Sequence, residues 1–252
     1  MHRGTWTLLH RVVCLFIGLI GSVCVGLCQQ LGNPLQPGTV AARENTNPPE
    51  PENKRIFGIV PNNRTSPSLR ESEPLTSRDK FKIATEDAFD RGSFALAAIF
   101  AGEAQLTNAN RSFGQGAAGY GKYYGAAFAD FTIADYMTEA IYPSLLHQDP
   151  RYFRKSIGSG WSRLGYAMGQ IFWTHTDSGG TQFNFSEVIG NSTAVAISNT
   201  YYSDNRTAPD AISKLGTQLG VDMASNILKE FWPDIARKFR RKHDGQASSS
   251  TH

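Results

Sequence analysis

Small residues recur at every fourth position in four separate segments of the chain. Because an α-helix turns once in about 3.6 residues, each series forms one narrow edge along which another helix can approach closely. This spacing predicts an all-α protein, a compact bundle of about five to six Gly/Ala-rich helices. The four series are Ala117, Gly121 and Gly125; Gly165 and Gly169; Gly190, Ala194 and Ser198; and Gly216, Gly220 and Ala224.

Capping residues and apolar spacing place the helices along the chain. Thr76 followed by Asp79 is typical of a helix N-terminus, and the apolar periodicity continues to about residue 106. Pro143 and Pro233 are each expected to end or kink a helix. The other predicted helices cover residues 112–142, 161–174, 184–202 and a segment that begins near residue 209.

The second of these helical segments carries the clearest aromatic stripe. Its rings fall within about 80° of helical arc, so we expect this stripe to be the buried face. Asp135 lies in the same arc, and a buried carboxylate needs a partner. We therefore expect Asp135 to contact a basic or hydrogen-bonding side chain from residues 147–175. The stripe consists of Phe113, Tyr120, Tyr124, Phe128, Phe131 and Tyr142.

The N-terminal part of the chain has the pattern of a secretory signal peptide. Basic residues precede an uncharged apolar run over residues 12–27, and all three cysteines lie within residues 1–28. An uncleaved membrane anchor and a lipid-modified Cys28 are the alternatives. The predicted organisation is a signal peptide at 1–28, a disordered Pro-rich linker at 29–75 whose residues 56–60 dock on the domain, a helical domain at 76–243 and a disordered tail at 244–252.

Two similar motifs, each a His followed two residues later by an Asp, contain most of the unusual chemistry. The first holds His147 and Asp149, and the second holds His175 and Asp177. Imidazole and carboxylate groups are the commonest general acids and bases. Together with Asp135, these four residues are the candidate catalytic groups.

A group of anion-binding candidates accompanies the two motifs. Arg151 and Arg154 follow the first motif, and guanidinium groups suit a phosphate or a carboxylate. Ser178, Gly179 and Gly180 follow the second motif and predict a turn whose amides bind an anion. The structural alternative is a loop whose Asp and Arg side chains hold its own backbone together.

A metal site is a further alternative for the same residues. His147, Asp149, His175 and Asp177 offer two imidazoles and two carboxylates, which are ligands for zinc. The two pairs lack the one-face spacing of a helical metal motif, so neither a metal nor another cofactor is predicted. The inward-facing acids Asp135, Glu103 and Glu230 could act as general acids or bases with a raised pKa. We expect each instead to pair inside the bundle, with Arg151, Arg154, Arg163 or Asn226.

Three segments carry a resemblance to a known group of proteins. The segments HQDPRYF at 147–153, HTDSGG at 175–180 and EFWPD at 230–234 resemble those of a family of uncharacterised exported bacterial proteins. The resemblance covers residues 55–240. It implies a location in the bacterial envelope, in the periplasm or at the outer membrane, and it implies no activity.

Charge and composition narrow the choice of partner. The net charge of +3 over 252 residues does not indicate nucleic acid. Five of residues 237–242 are basic, which suits either a helix C-terminus or anionic lipid. We expect a non-catalytic envelope module that binds a lipid or an envelope protein and associates with a membrane. The alternative is a hydrolase that acts on a phosphorylated or acidic substrate near the two His-x-Asp motifs.

Overall fold

The computed structural model describes residues 73–249 and three short strands at residues 55–56, 60–61 and 65–66. The predicted signal peptide and most of the predicted linker lie outside these residues. The described part of the chain is mainly helical and includes a small three-stranded sheet. None of its helices combines the length and the apolar character that crossing a bilayer requires.

The part of the chain that the structure describes contains seven α-helices. A π-helical segment, Tyr136–Ile141, joins α3 to α4, and a short 3-10 turn, Arg111–Phe113, precedes α3. The helices are α1 (Ser77–Ala88), α2 (Arg91–Leu106), α3 (Gly116–Asp135), α4 (Tyr142–Leu146), α5 (Gly160–Gly169), α6 (Phe185–Ser198) and α7 (Ala208–Ser249).

Short strands correct the all-α prediction. Strands β1 (Arg55–Ile56) and β2 (Val60–Pro61) pair with each other in antiparallel fashion, and β3 (Thr65–Ser66) pairs in parallel with β5 (Tyr152–Phe153). The three-stranded antiparallel sheet consists of β4 (Gln148–Asp149), β6 (Trp173–Thr176) and β7 (Thr181–Phe183). Strands of two to four residues are too short to produce a period-2 pattern, so the sequence does not show most of them.

The predicted helix starts agree with the structure where a cap defines them. Thr76 and Asp79 form a reciprocal capping box at α1, and Asn184 accepts from the amide of Glu187 at α6. The predicted helix over residues 76–106 is instead two helices. Asp90 caps α2 by accepting from the amide of Gly92 at 2.7 Å, so a new helix begins there.

The last helix passes through Pro233 and continues to Ser249. This corrects the expected interruption at Pro233, and it places residues 244–249 of the predicted disordered tail in a helix. Proline removes one helical hydrogen bond and disturbs the preceding turn. In the same turn the carbonyl oxygen of Glu230 accepts from Arg163 Nη2 at 2.7 Å.

The predicted aromatic stripe of α3 is not its buried face. The buried residues of α3 are Gly119, Tyr123, Ala126 and Ala127, and the helix packs against α2 and α6. The hydroxyl of Tyr123 donates to the carbonyl oxygen of Asn110 at 2.6 Å and accepts from the Asn110 amide. In the stripe, Tyr120 is exposed and the other five rings are only partly buried. Phe128 and Phe131 contact phenylalanine rings of α2.

Most of the small-residue edges do not contact another helix. A methyl group added at Gly121, Gly125, Gly216 or Gly220 would have no atom of another described element within 4 Å. Gly190 is different, because a Cβ there would lie 2.8 Å from Thr138 Cγ2 and 3.1 Å from the Met137 carbonyl carbon. Close packing through a predicted edge therefore occurs where α6 meets the π-helical segment.

The pair Gly190 and Gly216 gives a direct test of this packing. We expect Gly190→Ala to lower the free energy of unfolding by about 1–3 kcal/mol, because the added methyl group meets backbone atoms that cannot move aside. Gly216→Ala is the matched control and should raise stability by up to about 1 kcal/mol, because alanine favours a helix and the space is open. Urea unfolding measures both, and equal shifts would contradict the close contact.

Candidate functional site

The two His-x-Asp motifs lie side by side in the three-stranded sheet. Strand β4 pairs with β6 so that Gln148 lies opposite Thr176 and Asp149 lies opposite His175. The pairing extends by one step, since the amide of Asp177 donates to the carbonyl oxygen of His147 at 2.9 Å. The motifs thus run in opposite directions, with the His of each motif opposite the Asp of the other.

Asp177 belongs to a buried ion pair that the sequence did not predict. Lys80 of α1 is almost completely buried, and its Nζ donates to both carboxylate oxygens of Asp177 at 2.7 Å. The same ammonium group donates to the carbonyl oxygen of Pro143 at 3.1 Å. The available signal was the spacing of Lys80 with Ala84, which places a lysine on the apolar face of α1.

Asp149 is held in a similar way by Arg151. The guanidinium donates from Nε to Asp149 Oδ1 at 3.0 Å and from Nη2 to Oδ2 at 2.6 Å. The amide of Arg151 also donates to Oδ1, and Nη2 donates to the carbonyl oxygen of Glu73. This matches the structural alternative, in which an Asp and an Arg hold their own loop together.

The two histidines occupy different environments. His147 ends α4 in the left-handed conformation, its side chain is 84% exposed, and its Nδ1 lies 3.9 Å from Asp177 Oδ2, beyond hydrogen-bond distance. His175 packs edge-on against Phe153, and its Nδ1 has no hydrogen-bond partner among the described residues. Burial lowers the pKa of His175, although the charge of Asp149 acts in the opposite direction.

The Ser178–Gly180 turn does not present all of its amides to an anion. The amide of Gly179 donates to the carbonyl oxygen of Thr176, and the amide of Gly180 donates to Thr176 Oγ1 at 2.9 Å. The hydroxyls of Ser178 and Thr176 also share a hydrogen bond. The predicted anion-binding turn therefore uses two of its amides to close the hairpin between β6 and β7.

Glu230 is the centre of a buried polar network. Its carboxylate accepts from the Tyr152 hydroxyl at 3.0 Å, from Arg163 Nε at 2.7 Å, and from the amides of Lys155 and Ser156 at 3.0 Å. The predicted pairing of Glu230 with an arginine inside the bundle is confirmed. Burial and the charge of Glu230 both raise the pKa of Tyr152, which keeps its hydroxyl a donor.

Arg163 and Arg154 both belong to this network. Arg163 Nη1 donates to Asp234 at 2.7 Å, and its guanidinium lies over the ring of Phe231. Arg154 is close enough to Glu230 for their charges to interact, and burial lowers the pKa of its guanidinium. Arg154, predicted to bind an anion, thus lies among the buried charges around α7.

The remaining candidates do not join the β4–β6 ladder. Asp135 is the last residue of α3 and is partly buried there. It has an interaction partner, and its predicted contact with residues 147–175 stays a prediction. Among the residues that the structure describes, no three His, Asp, Glu or Cys side chains lie in a group that could hold a metal ion.

Comparisons with known proteins give no further identification, because no protein-family model, curated protein or solved structure matches this chain. The resemblance of the three motifs to exported bacterial proteins therefore remains a proposal.

Removing one side of the Glu230 network should be costly. We expect Arg163→Met to lower the free energy of unfolding by about 3–5 kcal/mol, because a buried carboxylate loses its cation. Arg237→Met is the matched control, since Arg237 contacts the same Asp234 from an exposed position, and its effect should stay within about 0.5 kcal/mol. Chemical unfolding of both variants measures the difference, and similar losses would refute the central role of Arg163.

His175 should make stability depend on pH. The folded imidazole stays neutral below its ordinary pKa of about 6.5, whereas the unfolded chain takes up the proton. The contribution of the neutral His175 to the free energy of unfolding is therefore fully present above the ordinary pKa and is lost as the pH falls below it. Between about pH 7.5 and 5.5, we expect His175→Gln to reduce the loss of unfolding free energy. The exposed His147→Gln is the control and should follow the wild type, and an unchanged slope in His175→Gln would contradict the assignment.

Proposed function

We propose that this protein is an exported, non-catalytic module of the bacterial envelope that binds a lipid surface through its α2–α3 hairpin. The export and the location in the periplasm or at the outer membrane rest on the sequence pattern of residues 1–28 and on the motif resemblance. The binding role rests on an aromatic surface of the hairpin.

The aromatic face is a continuous set of five rings on and beside this hairpin. The ring of Phe128 stacks on the ring of Phe94, with 4.8 Å between the ring centroids. It also meets the ring of Phe89 edge-on, with 5.9 Å between the centroids. The ring centroid of Tyr124 lies 6.5 Å from that of Phe128, and the ring centroid of Tyr120 lies 6.4 Å from that of Tyr124. Phe89, Phe94 and Tyr120 are 53%, 41% and 36% exposed. A contiguous exposed apolar face of this kind marks an interaction surface.

The hairpin that carries the aromatic face contains few charges. From residue 92 to residue 106 the only charged side chain is Glu103, and in α3 the charged residues are Lys122, Asp130 and Asp135. Burial raises the pKa of Glu103, which reduces the cost of its transfer to a less polar medium. The surface is therefore suited to partial burial among lipid acyl chains.

A lipid surface suits the aromatic face better than a protein partner does. The exposed backbone beside the rings is formed by small residues. A Cβ placed on Gly121 or Gly125 would have no atom of another described element within 4 Å. Such a strip has no pocket for an anchoring side chain. The hydroxyl of Tyr120 donates to the carbonyl oxygen of Ala98 at 3.2 Å, so its ring can leave water with its polar group satisfied.

Basic residues near the C-terminus add charge complementarity. Five of residues 237–242 are Lys or Arg, and anionic lipids attract such segments by about 1 kcal/mol per residue near the surface. The aromatic face and the basic segment together would supply the apolar and the electrostatic parts of membrane attachment.

The alternative is a hydrolase that acts on a phosphorylated or acidic substrate. Its acid–base groups would be the four residues of the His-x-Asp motifs. Asp149 and Asp177 are both engaged in ion pairs with cations of the fold, and His147 is turned to the surface. These contacts support a structural role for the motifs and favour the binding function.

Vesicle flotation tests the proposed function. The purified protein should float with vesicles that contain phosphatidylglycerol, and high salt should weaken this binding because it screens the basic segment. We expect Phe89→Gln with Phe94→Gln to weaken binding about tenfold or more, because two exposed rings no longer leave water.

Ile212→Gln is the matched control for this experiment. Ile212 is 70% exposed but lies on α7 and not on the α2–α3 hairpin, so this variant should bind vesicles like the wild type. Circular dichroism would establish that all variants are folded. Absence of vesicle binding by the wild type, or equal binding by the double variant, would refute the proposal.

A further inference from the structure

A short turn between β5 and α5 holds a large apolar side chain in water. Ile157 is 77% exposed, and Trp161 in the first turn of α5 is 60% exposed. Residues 156–162 contain no charged side chain. Single exposed apolar residues are ordinary on protein surfaces, so their meaning depends on how the turn is held and on which charges surround it.

The backbone of this turn is fixed by the buried carboxylate of Glu230. The amides of Lys155 and Ser156 both donate to this carboxylate at 3.0 Å. The amide of Ile157 donates to the carbonyl oxygen of Lys155 at 2.6 Å. Ser156 has a φ of +58°, in the left-handed region that disfavours residues with a Cβ. The Glu230 network thus stabilises a strained backbone that carries Ile157 at the surface.

The segment around the turn is cationic. Residues 150–176 contain four Lys or Arg residues and no Asp or Glu. Two of the four form ion pairs with carboxylates of the fold. Among the described residues, no carboxylate lies within 4 Å of the charged groups of the other two, Arg154 and Lys155. The Lys155 ammonium group donates to Ser162 Oγ at 2.8 Å, so a positive charge lies beside the first turn of α5.

The basic segment of α7 begins close to the same turn. Glu230, which holds the turn, precedes Arg237 by seven residues, which corresponds to about 10 Å along a helix. Arg237 is exposed and is the first of the five basic residues within 237–242. An anionic surface that attracts this segment therefore also approaches the turn.

We propose that this turn is a second membrane contact, in which Ile157 and Trp161 enter the interface of an anionic phospholipid bilayer and Lys155 lies among the phosphate groups. Tryptophan is enriched at the level of the lipid headgroups. A lysine keeps its charge in water while its stem lies along apolar groups. The identity of the partner, a lipid surface, rests on the proposed function, whereas the contact lies outside the α2–α3 hairpin.

Ile157→Gln tests the apolar part of this contact. We expect it to bind vesicles that contain phosphatidylglycerol about tenfold more weakly than the wild type, because one large apolar side chain no longer leaves water. Leu145→Gln is the matched control, since Leu145 is 68% exposed on α4, outside both contacts, and it should bind like the wild type. Circular dichroism would establish that both variants are folded.

Lys155→Gln tests the electrostatic part. It should bind phosphatidylglycerol vesicles about fivefold more weakly, because one cation near the anionic surface is lost. Vesicles of phosphatidylcholine alone carry no net charge, and they should bind this variant and the wild type equally. Equal binding of the two proteins to phosphatidylglycerol vesicles would contradict the position of Lys155 among the phosphates.

Trp161 reports on the contact directly. Brominated acyl chains quench tryptophan fluorescence only on close approach. Vesicles of brominated phosphatidylglycerol should therefore quench the wild type more strongly than Trp161→Phe, which keeps an aromatic ring at this position. Equal loss of fluorescence from the two proteins would overturn the proposal, because Trp161 would then lie outside the lipid.

The two lipid contacts can fail separately. If Phe89→Gln with Phe94→Gln weakens vesicle binding and Ile157→Gln does not, the contact at the turn is refuted while the α2–α3 hairpin stands. If Ile157→Gln weakens binding and the double variant binds like the wild type, the hairpin is refuted and the contact at the turn is supported.

Discussion

The buried carboxylate of Glu230 determines how the C-terminal half of the protein is arranged. It accepts from a hydroxyl on β5, from two amides in the loop that follows, and from the guanidinium of Arg163 on α5. Strand β5, α5 and α7 are thereby fixed to one another around a cluster that includes Tyr152, Ala167 and Phe231. Because a buried charge is tolerated only when its partners are complete, these three elements have to assemble together.

The position of the candidate site depends on this arrangement. Strand β4 precedes β5 by two residues, so the place of the first His-x-Asp motif follows from the place of β5. Strand β6 pairs with β4 and carries the second motif, and Lys80 joins that motif to the first helix. The unusual residues of the sequence are therefore used largely to connect distant parts of the chain, which agrees with a protein whose interaction surfaces lie elsewhere.

Local signals in the sequence predict local structure well. The caps at Thr76 and Asn184 depend on residues within one helical turn, and both are found in the structure. The buried side of α3 was wrongly predicted because Gly119, Ala126 and Ala127 add little to an apolar pattern, whereas large rings dominate it. The four-residue spacing of glycines shows where another helix could approach closely. At Gly216 the spacing is present but no other helix lies close, so the spacing alone does not predict a contact.

The sequence predicted which residues belong to the candidate site but not which of them contact one another. The register that places Asp149 opposite His175 depends on strands that are too short to recognise in the sequence. Lys80 lies 97 residues from Asp177, and no local pattern links them.

The antiparallel register of the two motifs has a consequence for how this chain can change in length. Successive residues of a strand face opposite sides, so one residue inserted inside either motif would move the side chains beyond it to the other side of the β4–β6 pair. Gln148 would then lose its hydrogen bond with the Ser186 amide, or Asp177 would move away from Lys80. Loop segments between the motifs, such as residues 154–159, lie outside this register. Related chains should therefore keep the internal spacing of both motifs while the distance between them varies.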